Sequence, residues 1–209
     1  LNVFLCNTDE SPKKEKMYLD LMSDENVAGI ILSPTRQTAD SFTRVAELDI
    51  PMVVIDRRVQ AFEVDSVVLD NVEASYRIVS HLLADGHHQI GAMFGADSTT
   101  GRERRDGYLR ALEEYGLEPL PELVSYVNAR EEEGYDNTKR LLDLPEPPDA
   151  IFTSNALLSA GTFRALRQSN LAMPDQIAFA SFDETTWTTL VDPPVTVIAQ
   201  PTRSEERRV

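Results

Sequence analysis

The chain has 209 residues and a mass of 23.4 kDa, with 42% apolar and 26% charged residues, proportions that suit a globular protein with one substantial core or two small ones. Its formal net charge of −15 argues against direct contact of this chain with DNA, RNA or an anionic membrane surface, all of which call for clustered Lys and Arg. The single cysteine, Cys6, rules out an intrachain disulfide and fits a reducing compartment, and no apolar run approaches the roughly 18 residues of a membrane span.

Leu1 to Leu5 reads as a strand already under way. After a polar loop, Ser11 is placed to cap a helix with Pro12 at its first position, and Met17, Tyr18, Leu21 and Met22 recur at helical spacing. Ala28 to Leu32 is the next strand, Phe42, Val45, Ala46 and Leu48 mark a helix, and Met52 to Ile55 is a strand ending at Asp56 and Arg57. Ser66 to Leu69 forms another, ending at Asp70 and Asn71; Asn71 is expected to cap a helix with Ile78, Val79, Leu82 and Leu83 on its buried face, stopped by Gly86.

Gln89 to Phe94 is a strand leading into the loop Gly95 to Gly101, followed by a helix with Tyr108, Leu109, Leu112 and Tyr115 on one face. Further on, Glu122 to Val127, Ala150 to Thr153, Ile177 to Ser181 and Val195 to Ala199 are strands. Helices over Tyr135 to Leu142 and Leu158 to Leu166 fall between them. Thr202 to Val209 looks like the first turns of a helix, so both ends have the pattern of a piece of a longer polypeptide.

Strand and helix alternate almost throughout, which predicts α/β architecture with parallel sheets. The strands outnumber what one doubly wound sheet of this length holds, so the expectation is two doubly wound lobes with a ligand cleft between them. The N-terminal lobe takes residues 1–94 and 199–209, and the C-terminal lobe takes residues 95–198.

Asp183 sits where the apolar run Ile177 to Ser181 gives way to carboxylates, hence at the carboxyl end of a strand, the edge at which open α/β sheets bind ligands. Asn155 occupies the same kind of position after Ala150 to Thr153. Either side chain also suits a helix cap. Arg104 lies in the charged run Arg102 to Asp106, whose ordinary reading is a solvated helix face. Trp187, the one tryptophan, reads equally as core or as a wall for a ring, and Arg57 as a ligand contact or an ion pair with Asp56 or a neighbour.

No constellation assembles a nucleophile with its base. The three histidines have no metal-ligand spacing, the loop Gly95 to Gly101 lacks the Lys-Ser/Thr ending of a phosphate loop, and no motif calls for a cofactor. The chain is therefore expected not to be an enzyme.

Taken together, several segments resemble the effector-binding core of the LacI/GalR family of bacterial transcription regulators, which has the type I periplasmic-binding-protein fold. They are Asn7-Thr8 through Tyr18-Leu19, Val27 through Pro34, Ile50-Pro51 through Asp56-Arg57, Asp70-Asn71 through Gly86-His87, Glu103-Arg104-x-x-Gly107-Tyr108, and Phe182-Asp183 through Gln200-Pro201. The resemblance implies a cytoplasmic regulator that binds a sugar, sugar derivative or nucleoside-like metabolite, forms a homodimer, and reaches operator DNA through a separate N-terminal domain.

Arg104, Asn155 and Asp183 match ligand positions of the family: a forked donor, a group that both donates and accepts, and a pure acceptor. Thr100 and Trp187 are second-tier candidates, with Asn71 and Arg57 assigned to the other lobe. The family's helix-turn-helix, hinge helix and first strand-helix unit of the N-terminal lobe have no counterpart in the sequence, and the missing strand is expected to exist in the real molecule. A periplasmic sugar receptor of the same fold is the rival reading.

Overall fold

The computed structural model describes residues 2–35, 48, 50–59, 63–96 and 98–200. Of the helix expected on Phe42, Val45, Ala46 and Leu48, all but Leu48 lies outside the described residues, as do the turns over Thr202 to Val209. The chain divides into two units, Leu1–Leu69 and Asp70–Val209.

In the first unit, α1 (Pro12–Asp24) starts as its sequence dictates: the Ser11 hydroxyl accepts the Lys14 N–H, and proline occupies the first turn, where its missing donor costs nothing. β1 (Ile30–Leu32), β2 (Met52–Ile55) and β3 (Asp65–Val67) form a parallel sheet in that order. Leu19 of α1 packs with Ile30 and Leu32 in a small core, while Ile31, on the opposite face of the same strand, is 75% exposed. The strand expected at Leu1 to Leu5 does not form a ladder among the described residues. Val3 and Leu5 are exposed, because extended backbone becomes a strand only where a neighbour takes up its N–H and C=O groups.

The second unit is built on a five-stranded parallel sheet ordered β5 (Val124–Val127), β4 (Ile90–Gly95), β6 (Ala150–Thr153), β7 (Ala178–Phe182), β8 (Thr196–Ile198). Its helices are α2 (Asn71–Ala84), α3 (Thr99–Glu114), α4 (Glu131–Leu142), α5 (Ala156–Ser169) and the short α6 (Thr186–Leu190). The period-two alternation of side chains divides the core. Met93, Ile151 and Phe179 point to one face, where they meet Leu141 of α4 with Leu158 and Leu166 of α5. Phe94 and Phe152 point to the other, where Phe94 meets the ring of Tyr108 of α3 edge-on at 5.7 Å. Burial pushes the Tyr108 phenol well above its usual pKa, so it stays protonated and donates to the Ile90 carbonyl at 3.0 Å.

Helix pairs on this unit meet backbone to backbone. A Cβ on Gly107 of α3 would collide with the Val72 carbonyl oxygen of α2, and one on Gly161 of α5 with the Glu131 carbonyl oxygen of α4.

The two units meet in sequence between Leu69 and Asp70, whereas the lobe boundary was expected near Phe94 and Gly95. β4 is hydrogen-bonded on both sides within the five-stranded sheet, and α2 packs on α3, so both belong to the second unit. Hydrophobic runs announce a strand but not the sheet that receives it. One expectation is corrected at α2, which is capped by Asp70, whose Oδ1 accepts the Glu73 N–H at 2.9 Å. Asn71, expected to be the cap, is the first helical residue, and its side chain is available for other work.

Because Gly107 has no room for a methyl group, Gly107→Ala is expected to destabilise the protein by about 1–3 kcal/mol, the range for overpacking a tight contact. Urea unfolding followed by circular dichroism would show this as a lower midpoint at unchanged slope.

Candidate functional site

In the five-stranded sheet the chain runs from β4 outward to β5, then crosses back through α4 to β6 on the other side of β4. The order therefore reverses between β4 and β6, and the carboxyl ends of these strands open a crevice there. Gly95 ends β4 and Ser154-Asn155 follow β6, while Phe182-Asp183 end the neighbouring β7.

Arg104 is the centre of this edge. It shares the buried stripe of α3 with Tyr108 and Ala111, at spacings of four and seven, and is 5% exposed. Its Nε donates to Asn71 Oδ1 at 2.9 Å and its Nη1 to the Ser154 carbonyl at 2.5 Å. The guanidinium carbon lies 3.6 Å from the centroid of the Phe182 ring, a cation–π contact in a desolvated setting. Asn71 in turn donates from Nδ2 to Glu103 Oε2 at 2.7 Å. The rest of the charged run behaves differently: Arg102 is exposed, and Arg105 pairs with Asp106 at 2.6 Å.

Asp183 is half-buried and has a backbone φ of 76°, in the left-handed region that Asp tolerates better than most residues. Its N–H goes to the Ile198 carbonyl at 3.0 Å, and its Oδ1 accepts from Gln200 Nε2 at 2.6 Å. Asn155 caps α5, its Oδ1 accepting the N–H groups of Leu157 and Leu158 at 3.1 and 3.0 Å. Thr100 is buried in the first turn of α3, its hydroxyl 2.8 Å from that of Ser98, the cap residue.

Four of the sequence-predicted residues, Asn71, Arg104, Asn155 and Asp183, are thus linked directly or through the adjoining Ser154 and Phe182, with Thr100 on the same helix as Arg104. Asn71 belongs to the second unit rather than to the lobe expected, because α2 starts that unit.

Trp187 is partly buried against the core of this unit, its ring 4.9 Å from that of Phe163. Arg57 is in the first unit and forms an ion pair. Its Nη1 and Nη2 each lie 2.9 Å from a Glu10 oxygen, and Nη1 also donates to the Pro34 carbonyl at 3.0 Å. Burial opposes its charge, but the Glu10 carboxylate outweighs that and raises its pKa.

Sequence reasoning missed the roles of Glu103, Ser154, Phe182 and Gln200. Phe182 was legible in principle, since alternation along β7 places it opposite Ser181; the others act through a carbonyl, an amide and a carboxylate whose partners are distant in sequence.

A family model described as periplasmic binding proteins and sugar binding domain of the LacI family matches residues 1–205. The chain belongs to this family. The HTH-type transcriptional regulator DegA of Bacillus subtilis is 32% identical over 203 residues, covering 95% of this chain and 60% of that protein. The chain spans about 60% of the length of the curated relatives it matches. Among solved structures, the transcriptional regulator CelR in complex with cellobiose is 28% identical with a TM-score of 0.84, covering 94% of this chain and 61% of that one. The transcription regulator CcpA of Lactococcus lactis shares the fold, with a TM-score of 0.88 at 24% identity over 97% of this chain and 74% of that one.

Removing the Asn71 amide leaves a buried guanidinium short of an acceptor. Asn71→Ala is expected to cost about 1.5–3 kcal/mol, the range for a hydrogen bond to a charged group. Chemical denaturation of this variant beside an exposed control, Arg102→Ala, measures it; the control should stay within about 0.5 kcal/mol of the parent.

Proposed function

We propose that the chain is the effector-sensing part of a transcription regulator and that it binds a sugar or related hydroxyl-rich metabolite at the carboxyl edge of its five-stranded sheet. The observation that carries this reading is that Arg104, with Asn71, is tied to the Ser154 carbonyl and the Phe182 ring, the residues next to Asn155 and Asp183 at the carboxyl ends of β6 and β7. A solved neighbour in complex with cellobiose supports the ligand class.

The residues divide the work. Asp183 gives one carboxylate oxygen to Gln200 and offers the other to a ligand hydroxyl. Asn155 spends its carbonyl oxygen on the α5 cap and offers its amide as a donor. Arg104 and Asn71 fix the edge against which the ligand lies, with Thr100 beside them. Trp187 and Arg57 are assigned lesser parts, in packing and in an ion pair.

The role is binding rather than catalysis, in keeping with curated relatives that are transcription regulators. In the full-length protein the effector sets the affinity for operator DNA, through a DNA-binding domain that works outside these residues in a homodimer. By linkage, operator binding changes effector affinity by the same factor. Such a regulator acts in the cytoplasm, where its operator is; among the described residues no helix is long and apolar enough to cross a membrane.

A thermal-shift screen of the purified protein against sugars, polyols, sugar phosphates and nucleosides tests the reading. A ligand at 100 times its Kd adds about 2.7 kcal/mol of stability and a readable rise in melting temperature. Asp183→Ala should weaken the hit roughly ten- to a hundredfold, since a hydrogen bond to a charged group is worth about 1.5–3 kcal/mol. Undiminished affinity in that variant would move the site elsewhere.

A further inference from the structure

Glu103 and Arg104 are consecutive on α3 yet point to different sides of it, since successive helical residues are about 100° apart. Arg104 turns into the core, while Glu103 stays half-buried beside it. Both nevertheless reach one small group on the neighbouring helix. The Asn71 amide accepts from Arg104 Nε at Oδ1, 2.9 Å away, and donates from Nδ2 to Glu103 Oε2 at 2.7 Å. The close approach of α2 and α3 makes this reach possible: Gly107, one turn beyond Glu103, lies against the carbonyl of Val72, the residue after Asn71.

The three groups are complementary in one sense only. A carboxylate accepts and does not donate, a guanidinium Nε–H donates and does not accept, and a primary amide has one end of each kind. Turning the amide over would set its NH2 against the guanidinium and its oxygen against the carboxylate. The carboxylate also acts on the amide: a charge-assisted bond to Nδ2 polarises the group and makes Oδ1 a stronger acceptor for Arg104. Negative charge at Glu103 is in this way felt, across an amide, by a cation that is 5% exposed.

A guanidinium is a rigid plane, so the bond at Nε–H restrains how the whole fork is turned. The same plane carries Nη1, which donates to the Ser154 carbonyl, and lays its face on the Phe182 ring. Ser154 precedes Asn155, and Phe182 precedes Asp183.

We propose that Glu103 is a positioning residue of the ligand edge: through Asn71 it holds the Arg104 plane in the setting that ties the ends of β6 and β7, and with them Asn155 and Asp183. This rests on the reading of that edge as the ligand site, but it is tested without ligand, so failure of the one is distinguishable from failure of the other.

The probe is the proton–nitrogen resonance of Arg104 Nε–H in the full chain, because a hydrogen-bonded proton lies downfield and exchanges slowly with water. Glu103→Met keeps the length and helix preference of the side chain but removes the carboxylate, and Glu103→Gln keeps an oxygen that accepts from Asn71 without the charge. In Glu103→Met the Arg104 resonance is expected to move upfield and its exchange to quicken about tenfold, the factor for roughly one hydrogen bond. Glu103→Gln should fall between that variant and the parent. Glu113→Ala, at an exposed glutamate of the same helix, should leave the resonance in place. A general loosening of the helix pair would instead move the backbone amides of α2 and α3 alike and would not be rescued by Gln. An Arg104 resonance unchanged in Glu103→Met, or displaced as far in Glu103→Gln as in Glu103→Met, would overturn the proposal. Should Glu103→Met fail to fold, Glu103→Ala is read in its place by the same criteria.

Discussion

A positive charge held out of water sets the terms for the rest of the second unit. Removing a guanidinium from solvent costs several kcal/mol unless its donors are matched and its faces covered. Arg104 is matched by the Asn71 amide oxygen and the Ser154 carbonyl and covered by the Phe182 ring, partners from α2, the end of β6 and the end of β7. The demand explains features that look local. Asp70, not Asn71, caps α2, which leaves the Asn71 side chain to turn inward. Phe182 rather than Ser181 faces α3, so the cation meets a ring and the hydroxyl meets α5. One buried side chain ties together the elements that carry Asn155 and Asp183.

The alternation of strands and helices, the helix starts at Ser11-Pro12, and the edge position of Asn155 and Asp183 were legible because each depends on residues close in sequence. A cap needs only three or four neighbours, and a buried run needs only itself. The family resemblance extended that reading to Arg104, which charge patterning alone would have left in solvent. The part that was not legible is the part decided across the chain. That β4 joins the second sheet depends on ladders to β5 and β6, and that Asn71 lies in the second unit depends on α2 packing against α3. Arg57 shows both sides of the limit: its ion pair with the adjacent Asp56, at 3.6 Å, was foreseen, whereas its second partner, Glu10, is distant in sequence and was not.

Two aspartates show how the same position can be tuned. Asp56 follows β2 and Asp183 follows β7, each with a positive φ, and each gives its N–H to the carbonyl of an adjacent strand, Val67 and Ile198 respectively. The left-handed conformation turns the chain sharply at the strand end while keeping one last ladder bond. For a residue with a short polar side chain the turn is cheap, and it presents a carboxylate at the rim instead of burying it.

The close approach of helix backbones at Gly107 and Gly161 bears on how this unit moves. Packed helices slide past one another when side chains between them can shift from one rotamer to the next. At Gly107 and Gly161 the approach is to main chain, which has no rotamer to change. The pairs α2/α3 and α4/α5 are therefore pinned at these two glycines, and sliding within a pair has to open that close approach.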